Sequence, residues 1–177
     1  RPYVILKWAQ SKDGYIFPDK AKTESGTPFW ISNKYSLQRV HQLRSEEASI
    51  LGGKNSEERD NGNLNLRHFE GNGILRLAID RKLEIPADKY IFDNIAQTVI
   101  YNEKIDKVLD GVQYKKLDFD KEVIAQIMNH LHHLDIQSVI VEGGAYTLKT
   151  FINSGFWDEA LVFEGDQIFK EGLKAPD

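Results

Sequence analysis

Between Ser138 and Ala145 the chain reads Ser-Val-Ile-Val-Glu-Gly-Gly-Ala, and this stretch narrows the possible folds sharply. Three β-branched residues without a polar break describe a strand covered on both faces. A helical pattern follows from Ala145 to Ser154 and is closed by Gly155. A strand buried on both sides that runs straight into a helix belongs to the mainly parallel sheet of an α/β protein. Glu142 then stands at the carboxyl end of that strand, the edge at which open α/β sheets bind ligands. Gly143 and Gly144 would let a phosphate or a cofactor ring approach the backbone and the helix N-terminus. The same residues also make a bare strand-to-helix turn, and no G-x-G-x-x-G fingerprint decides between the two.

With 177 residues, the chain has room for one domain (1–177) with a substantial core. No apolar run reaches the length that crosses a membrane. The net charge of -4 provides no basic field for a polyphosphate backbone, so neither nucleic acid nor membrane is an expected partner, while a small phosphorylated ligand held by a local cluster fits. The absence of cysteine excludes disulfides, a thiolate nucleophile and cysteine-ligated zinc, and suits a cytoplasmic enzyme. His130, His132 and His133 fall off the apolar stripe of a predicted helix and read as a solvated face; no H-E-x-x-H or carboxylate cluster supports a metal. Nor does a G-x-S-x-G elbow offer a nucleophile, which favours chemistry carried by a bound cofactor. The opening Arg1-Pro2, without initiator methionine or leader, reads as a portion of something longer.

The pattern from Tyr3 to Ala9 predicts a largely buried first strand, ended by the Asp13-Gly14 turn. A helix carrying Leu37, Val40 and Leu43 follows, capped by Ser32 or Asn33, with Arg44 near its end. Further strands are predicted at Ala48–Leu51, Ile74–Ile79, Gln97–Tyr101 and Asp158–Phe163, and a helix at Phe119–Leu134 capped by Asp118. Lys7 and Glu142 are the two ionisable residues placed most awkwardly inside apolar strands. Burying either alone is costly, so they form a salt bridge, sit at a wet edge, or serve a ligand together. Arg44 and Arg67 are surface cations unless they converge on one pocket, where arginine's planar fork would suit a phosphate.

Taken in order, these segments resemble one family. They are Arg1-Pro2-Tyr3-Val4-Ile5-Leu6-Lys7 with Ser11-Lys12-Asp13-Gly14, Trp30-Ile31-Ser32, Val40-His41-Gln42-Leu43-Arg44, Ala48 to Gly53, and Asp60-Asn61 with Leu64 and Arg67. Ile79-Asp80, Val141-Glu142-Gly143-Gly144-Ala145, Asp158-Glu159 and Gly172-Leu173-Lys174-Ala175-Pro176 continue the match. The family is the reductase domain of the bacterial riboflavin-biosynthesis protein RibD. The resemblance implies a dihydrofolate-reductase-like α/β fold, with a central, mostly parallel mixed sheet and helices on both faces. It implies reduction of 5-amino-6-(5-phosphoribosylamino)uracil to its ribitylamino product, with hydride from NADPH going to ribose C1 of the ring-opened imine. By motif position it assigns Arg44, Asp60, Leu64, Arg67 and Glu142 to the phosphorylated substrate. Gln10, Trp30, Ser56, Gly143, Gly144, Ala145, Tyr146, Thr147, Leu148, Lys149 and Thr150 fall to NADPH. Lys7 is expected to polarise or protonate the sugar oxygen or imine nitrogen, with Glu142 orienting the sugar. The resemblance also implies a homodimer, a deaminase domain fused in a full-length protein, a cis peptide between Gly143 and Gly144, and further strands after Pro176. The chain departs from the family at Pro28, at Gly52-Gly53-Lys54-Asn55-Ser56 and at Asp60-Asn61-Gly62; Lys54 is the candidate anchor for a cofactor 2′-phosphate. Two other readings stay open: a reductase of this fold acting on another pterin-like or uracil-like compound, and a non-catalytic nucleotide-binding domain.

Overall fold

The structure, a computed structural model, describes residues 1–18, 31, 33–54 and 73–176. Its centre is an eight-stranded sheet of β1 (Tyr3–Gln10), β3 (Ser49–Gly53), β4 (Leu75–Ile79), β5 (Thr98–Asn102), β6 (Lys107–Leu109), β7 (Val112–Lys116), β8 (Ser138–Val141) and β9 (Glu159–Glu164). The strand order is β6-β7-β5-β4-β3-β8-β1-β9, and β6, antiparallel to β7, breaks an otherwise parallel array. A separate pair joins β2 (Tyr15–Pro18) to β10 (Gly172–Lys174). Three α-helices, α1 (Lys34–Glu46), α2 (Val123–His133) and α3 (Ala145–Ser154), and a 3-10 turn at Tyr90–Phe92 complete the described elements.

The topology makes β8 the pivot. The chain lays down β1, skips a place to form β3, walks outward through β4, β5 and β7, and then returns to insert β8 between β3 and β1. Both neighbours of β8 are therefore parallel to it and precede it in sequence, so the order reverses at this strand. A crevice at the carboxyl edge is expected where the order reverses.

Alternation along the strands sorts the side chains into two layers. Val4, Leu6, Val139 and Val141 face a core with Leu51, Leu77 and Tyr101, closed by Ile124, Ile127, Met128 and Leu131 of α2 and Leu148 and Phe151 of α3. The α2 residues recur at helical spacing, which fixes the buried stripe. Ile5, Ile50 and Ile140, each at most 4% exposed, take the opposite face, and so does Lys7. There α1 begins at an Asn33 cap whose Oδ1 accepts from the backbone N–H groups of Tyr35 and Ser36, each at 3.0 Å.

Two local expectations change. The α2 helix starts at Val123, not Phe119, because Asp118 makes a turn of its own: its Oδ1 accepts from the Asp120 N–H at 3.1 Å, and the Gln126 amide clasps the Asp118 backbone. His130 is half-buried, not fully solvated. Its Nδ1 lies 3.1 Å from the hydroxyl of buried Tyr101, and burial lowers its pKa, with Lys115 adding to the effect. His132 and His133 remain exposed.

Candidate functional site

The register of β1 and β8 pairs Leu6 with Val141, so the next step brings Lys7 beside Glu142. The β8 ladder extends one residue further, because the Glu142 N–H donates to the Leu51 carbonyl at 2.9 Å and ties the residue's backbone to β3. Above them, Arg44 leaves the last turn of α1, where the helix carbonyls favour a cation. Its Nε donates to Glu142 Oε1 at 2.9 Å and its Nη2 to Oε2 at 2.8 Å, a bidentate fork. Lys7 Nζ reaches the same Oε2 at 3.4 Å and lies 5.8 Å from the Phe163 ring centre.

All three side chains are largely withdrawn from water, with 15%, 13% and 11% of Lys7, Arg44 and Glu142 exposed. Burial alone would push the Glu142 carboxyl up, but Lys7 and Arg44 outweigh it and hold the group down at about 2. It is a carboxylate at any physiological pH.

The α3 helix starts beside this cluster. Gly144 is its N-cap and supplies no side chain, and no acidic residue occupies the first turn, so the leading N–H groups and the positive helix end are left for an anionic or polar ligand. Gly143 and Gly53 are glycines for a packing reason: an added Cβ would fall 2.5 Å from Thr147 Cβ at Gly143 and 2.5 Å from Thr147 Oγ1 at Gly53. Thr147 thus seats α3 on the ends of β8 and β3 together. The expected cis peptide is absent. Among the described residues every peptide bond is trans, and Gly144, extended at φ −60° and ψ 172°, leads the chain into the helix without reversal.

The other assigned residues divide as follows. Gln10 Oε1 accepts from Trp8 Nε1 at 2.9 Å on the half-buried end of β1. Leu148 gives its side chain wholly to the core, Tyr146 and Lys149 point outward, and Thr150 Oγ1 donates to the Tyr146 carbonyl at 2.8 Å. Ala145 and Gly144 are half-buried at the helix start. Lys54 pairs with Glu84. Trp30, Ser56, Asp60, Leu64, Arg67 and Pro28 lie outside the described residues. Further along the same carboxyl edge, at the ends of β4, β5 and β7, a cleft of about 410 Å³ is lined by Arg81, Glu103, Lys116, Asp118 and Phe119 among others. Sequence reasoning did not find it, since its residues signal a site only once three strand ends are known to be adjacent. Among the described residues no group of histidine and carboxylate side chains could hold a metal ion.

Comparison with known proteins gives this geometry a family. The family described as RibD C-terminal domain matches residues 2–165. The riboflavin biosynthesis protein RibD of Aquifex aeolicus is 35% identical over the whole of this chain, which spans 50% of that protein. The 2,5-diamino-6-ribosylamino-4(3H)-pyrimidinone 5′-phosphate reductase of Archaeoglobus fulgidus is 24% identical, with 99% of this chain and 85% of that protein covered. A crystal structure of the diaminohydroxyphosphoribosylaminopyrimidine deaminase/5-amino-6-(5-phosphoribosylamino)uracil reductase of Thermotoga maritima superposes with a TM-score of 0.85 at 28% identity, covering 98% of this chain and 47% of that one. The chain thus spans about half the length of the Aquifex and Thermotoga relatives it matches. The chain, with its mostly parallel sheet reversing at β8, belongs to the RibD C-terminal domain family and has a dihydrofolate-reductase-like fold.

Proposed function

We propose that this domain reduces 5-amino-6-(5-phosphoribosylamino)uracil to 5-amino-6-(5-phosphoribitylamino)uracil in riboflavin biosynthesis. The observation that carries the reading is the buried Lys7–Glu142–Arg44 cluster at the end of β8, beside a helix N-terminus whose glycine cap supplies no side chain. The cofactor is NADPH, which supplies the hydride when bound; the glycine cap of α3 and its acid-free first turn fit its polar groups, with backbone from Gly143 to Thr150 and the side chains of Gln10, Trp30 and Ser56 completing its contacts.

Reduction of the ring-opened imine adds hydride at ribose C1 and a proton at nitrogen. Lys7 is the proton donor, and also the group that assists ring opening at the sugar oxygen. Glu142, ionised throughout, orients the sugar hydroxyls by accepting their hydrogen bonds. Asp60, Leu64 and Arg67 complete the substrate contacts together with Arg44 at the cluster, and Arg67 suits the phosphate. The domain works as a cytoplasmic homodimer, and in a longer protein it takes its substrate from a fused deaminase domain. No helix among the described residues is long and apolar enough to cross a membrane.

A coupled assay tests the reading: loss of NADPH absorbance with the phosphoribosylamino-uracil supplied fresh by a deaminase. Turnover with that compound, and lower efficiency with NADH, is the expected result. Turnover confined to the undeaminated diamino-pyrimidinone phosphate would move the substrate to the one named for the Archaeoglobus relative. No turnover with either would reject the reaction.

A further inference from the structure

We propose that Tyr101 and His130 form an acid-sensitive latch, which fastens α2 to β5 and β7 while the imidazole is neutral and gives way once the ring takes up a proton. The latch involves none of the residues assigned above to substrate or cofactor.

Tyr101 is the fourth residue of β5 and has no exposed surface. Its hydroxyl finds one hydrogen-bond partner among the described residues, His130 Nδ1 at 3.1 Å, and the two rings meet edge to face with their centres 5.7 Å apart. Burial pushes the Tyr101 pKa up, so the phenol keeps its proton and must give it to an acceptor. Nδ1 is that acceptor, which places the single proton of the neutral ring on Nε2. Gln113 of β7 stands 3.5 Å from Nε2, and a half-turn of its amide presents the oxygen to that N–H. One histidine thus bridges a helix and two strands.

A proton on Nδ1 reverses the arrangement. The nitrogen becomes a donor, the Tyr101 oxygen has to accept from it, and the phenol's own proton is left in the core with no acceptor among the described residues. Nor is the new charge compensated. Its charged neighbours are His133 on α2, Lys115 on β7 and Asp106 just before β6; Asp106 favours it but is held by Lys115 at 2.6 Å, while Lys115 and His133 oppose it. Burial opposes it most, and the His130 pKa lies below 6.5. Above pH 6.5 the ring is neutral in the folded and the unfolded chain alike, so the latch is fully closed. Stability is lost as the pH falls below 6.5 toward the lowered value, because the unfolded chain then binds the proton more readily.

The whole protein serves for the test. Nitrogen-15 spectra at pH 7.5 should show His130 as the Nε2–H tautomer, and its titration midpoint should lie below those of exposed His132 and His133. The Nδ1–H tautomer, or a midpoint equal to theirs, would overturn the latch. Amide hydrogen exchange across α2, corrected for its intrinsic dependence on pH, should show protection falling severalfold between pH 7.5 and 5.0, with about tenfold the limit for each unit by which the midpoint is lowered. His130→Asn supplies an acceptor near the place of Nδ1 that does not titrate, and it should remove most of that fall. A fall as large as in the wild type would overturn the proposal. If the variant does not fold, the tautomer and midpoint of wild-type His130 decide alone.

Discussion

Arg76 and Arg44 each meet a carboxylate beneath the same sheet, and they are held in contrasting ways. Arg76, the second residue of β4, is fully buried. Its Nε donates to Thr98 Oγ1 at 3.1 Å, its Nη1 to the Tyr90 carbonyl at 3.0 Å, and its Nη2 to the Ala96 carbonyl at 3.0 Å while pairing with Asp93 at 2.8 Å. Every nitrogen is spent on the protein, and the loop from Tyr90 to Ala96 is fastened to β4. The Arg44 cluster lies at the carboxyl edge, keeps some exposure, and includes an ammonium with donor capacity beyond the one hydrogen bond, at 3.4 Å, that it makes among the described residues. A saturated buried cation stabilises a fold and can do little else; one left partly satisfied at an open strand end is available to a substrate. A third pair, Arg1 with Asp158, has the shortest contacts of the three, at 2.5 and 2.7 Å, but lies in water. The ranking expected from physics follows burial and not distance.

The most damaging test is Arg76→Met. It removes the buried cation that pairs with Asp93 together with its bonds to the Tyr90 and Ala96 carbonyls, so unfolding in urea should show a loss of about 3–5 kcal/mol, and the melting temperature should fall by roughly 10 °C. Turnover per folded molecule should be unchanged. A loss below about 1 kcal/mol would erase the distinction between the two arginines.

Lys7→Met addresses the other side of the comparison. Here kcat should drop by about 10²–10³-fold while KM for the phosphorylated substrate moves by no more than about threefold. If stability collapses as far as in Arg76→Met, the carboxyl-edge cluster is as structural as the Arg76 one.

The pH dependence sharpens the contrast further. The Glu142 carboxyl is lowered from 4.5 to about 2 in the fold, so its contribution is fully present above pH 4.5 and is lost as the pH falls toward 2. The difference corresponds to a loss on the order of 3 kcal/mol across that window. Glu142→Gln should flatten the acid limb of the stability curve, and an unaltered limb would place the acid-sensitive group elsewhere. The smallest effect is expected from Arg1→Ala, at most about 1 kcal/mol and diminished by salt. A loss above about 2 kcal/mol would show that geometry, and not burial, orders these pairs.

The chain's alternation makes part of this legible. The β-branched run of β8 and its glycines mark the pivot strand, and Lys7 and Glu142 stand out because charges inside apolar strands need an account. Asn33 announces α1 through capping chemistry. Arg76 gave no such signal. In Leu-Arg-Leu-Ala-Ile an alternating polar residue reads as facing water, and the carbonyls that receive it come from a loop whose return to β4 is a tertiary fact. The β6–β7 hairpin also went unread, although Asp110 and Gly111, both at positive φ, form the kind of two-residue turn that Asp-Gly favours. Its first strand has only three residues and is exposed, too short for alternation to register. The fork between Arg44 and Glu142, 98 positions apart, needed the sheet order before it could be seen. The cis peptide was carried over from the resemblance, and no residue pattern had required it.

Thr147 has a consequence for anyone who would re-engineer the carboxyl edge of this domain. Because one side chain is wedged against the Cβ positions of both Gly53 and Gly143, those three residues are a single inheritable part. A graft that carries the loop after β3 from a relative, or the turn after β8, without the matching residue at 147 imports a collision of about half an ångström or more at the helix start. A side chain at Gly53 should become acceptable when Thr147 shrinks to alanine in the same step, whereas one at Gly143 would still meet the Cβ of residue 147 at 2.5 Å. Exposed positions such as Tyr146 and Lys149, in contrast, carry side chains that can change without moving the helix they stand on.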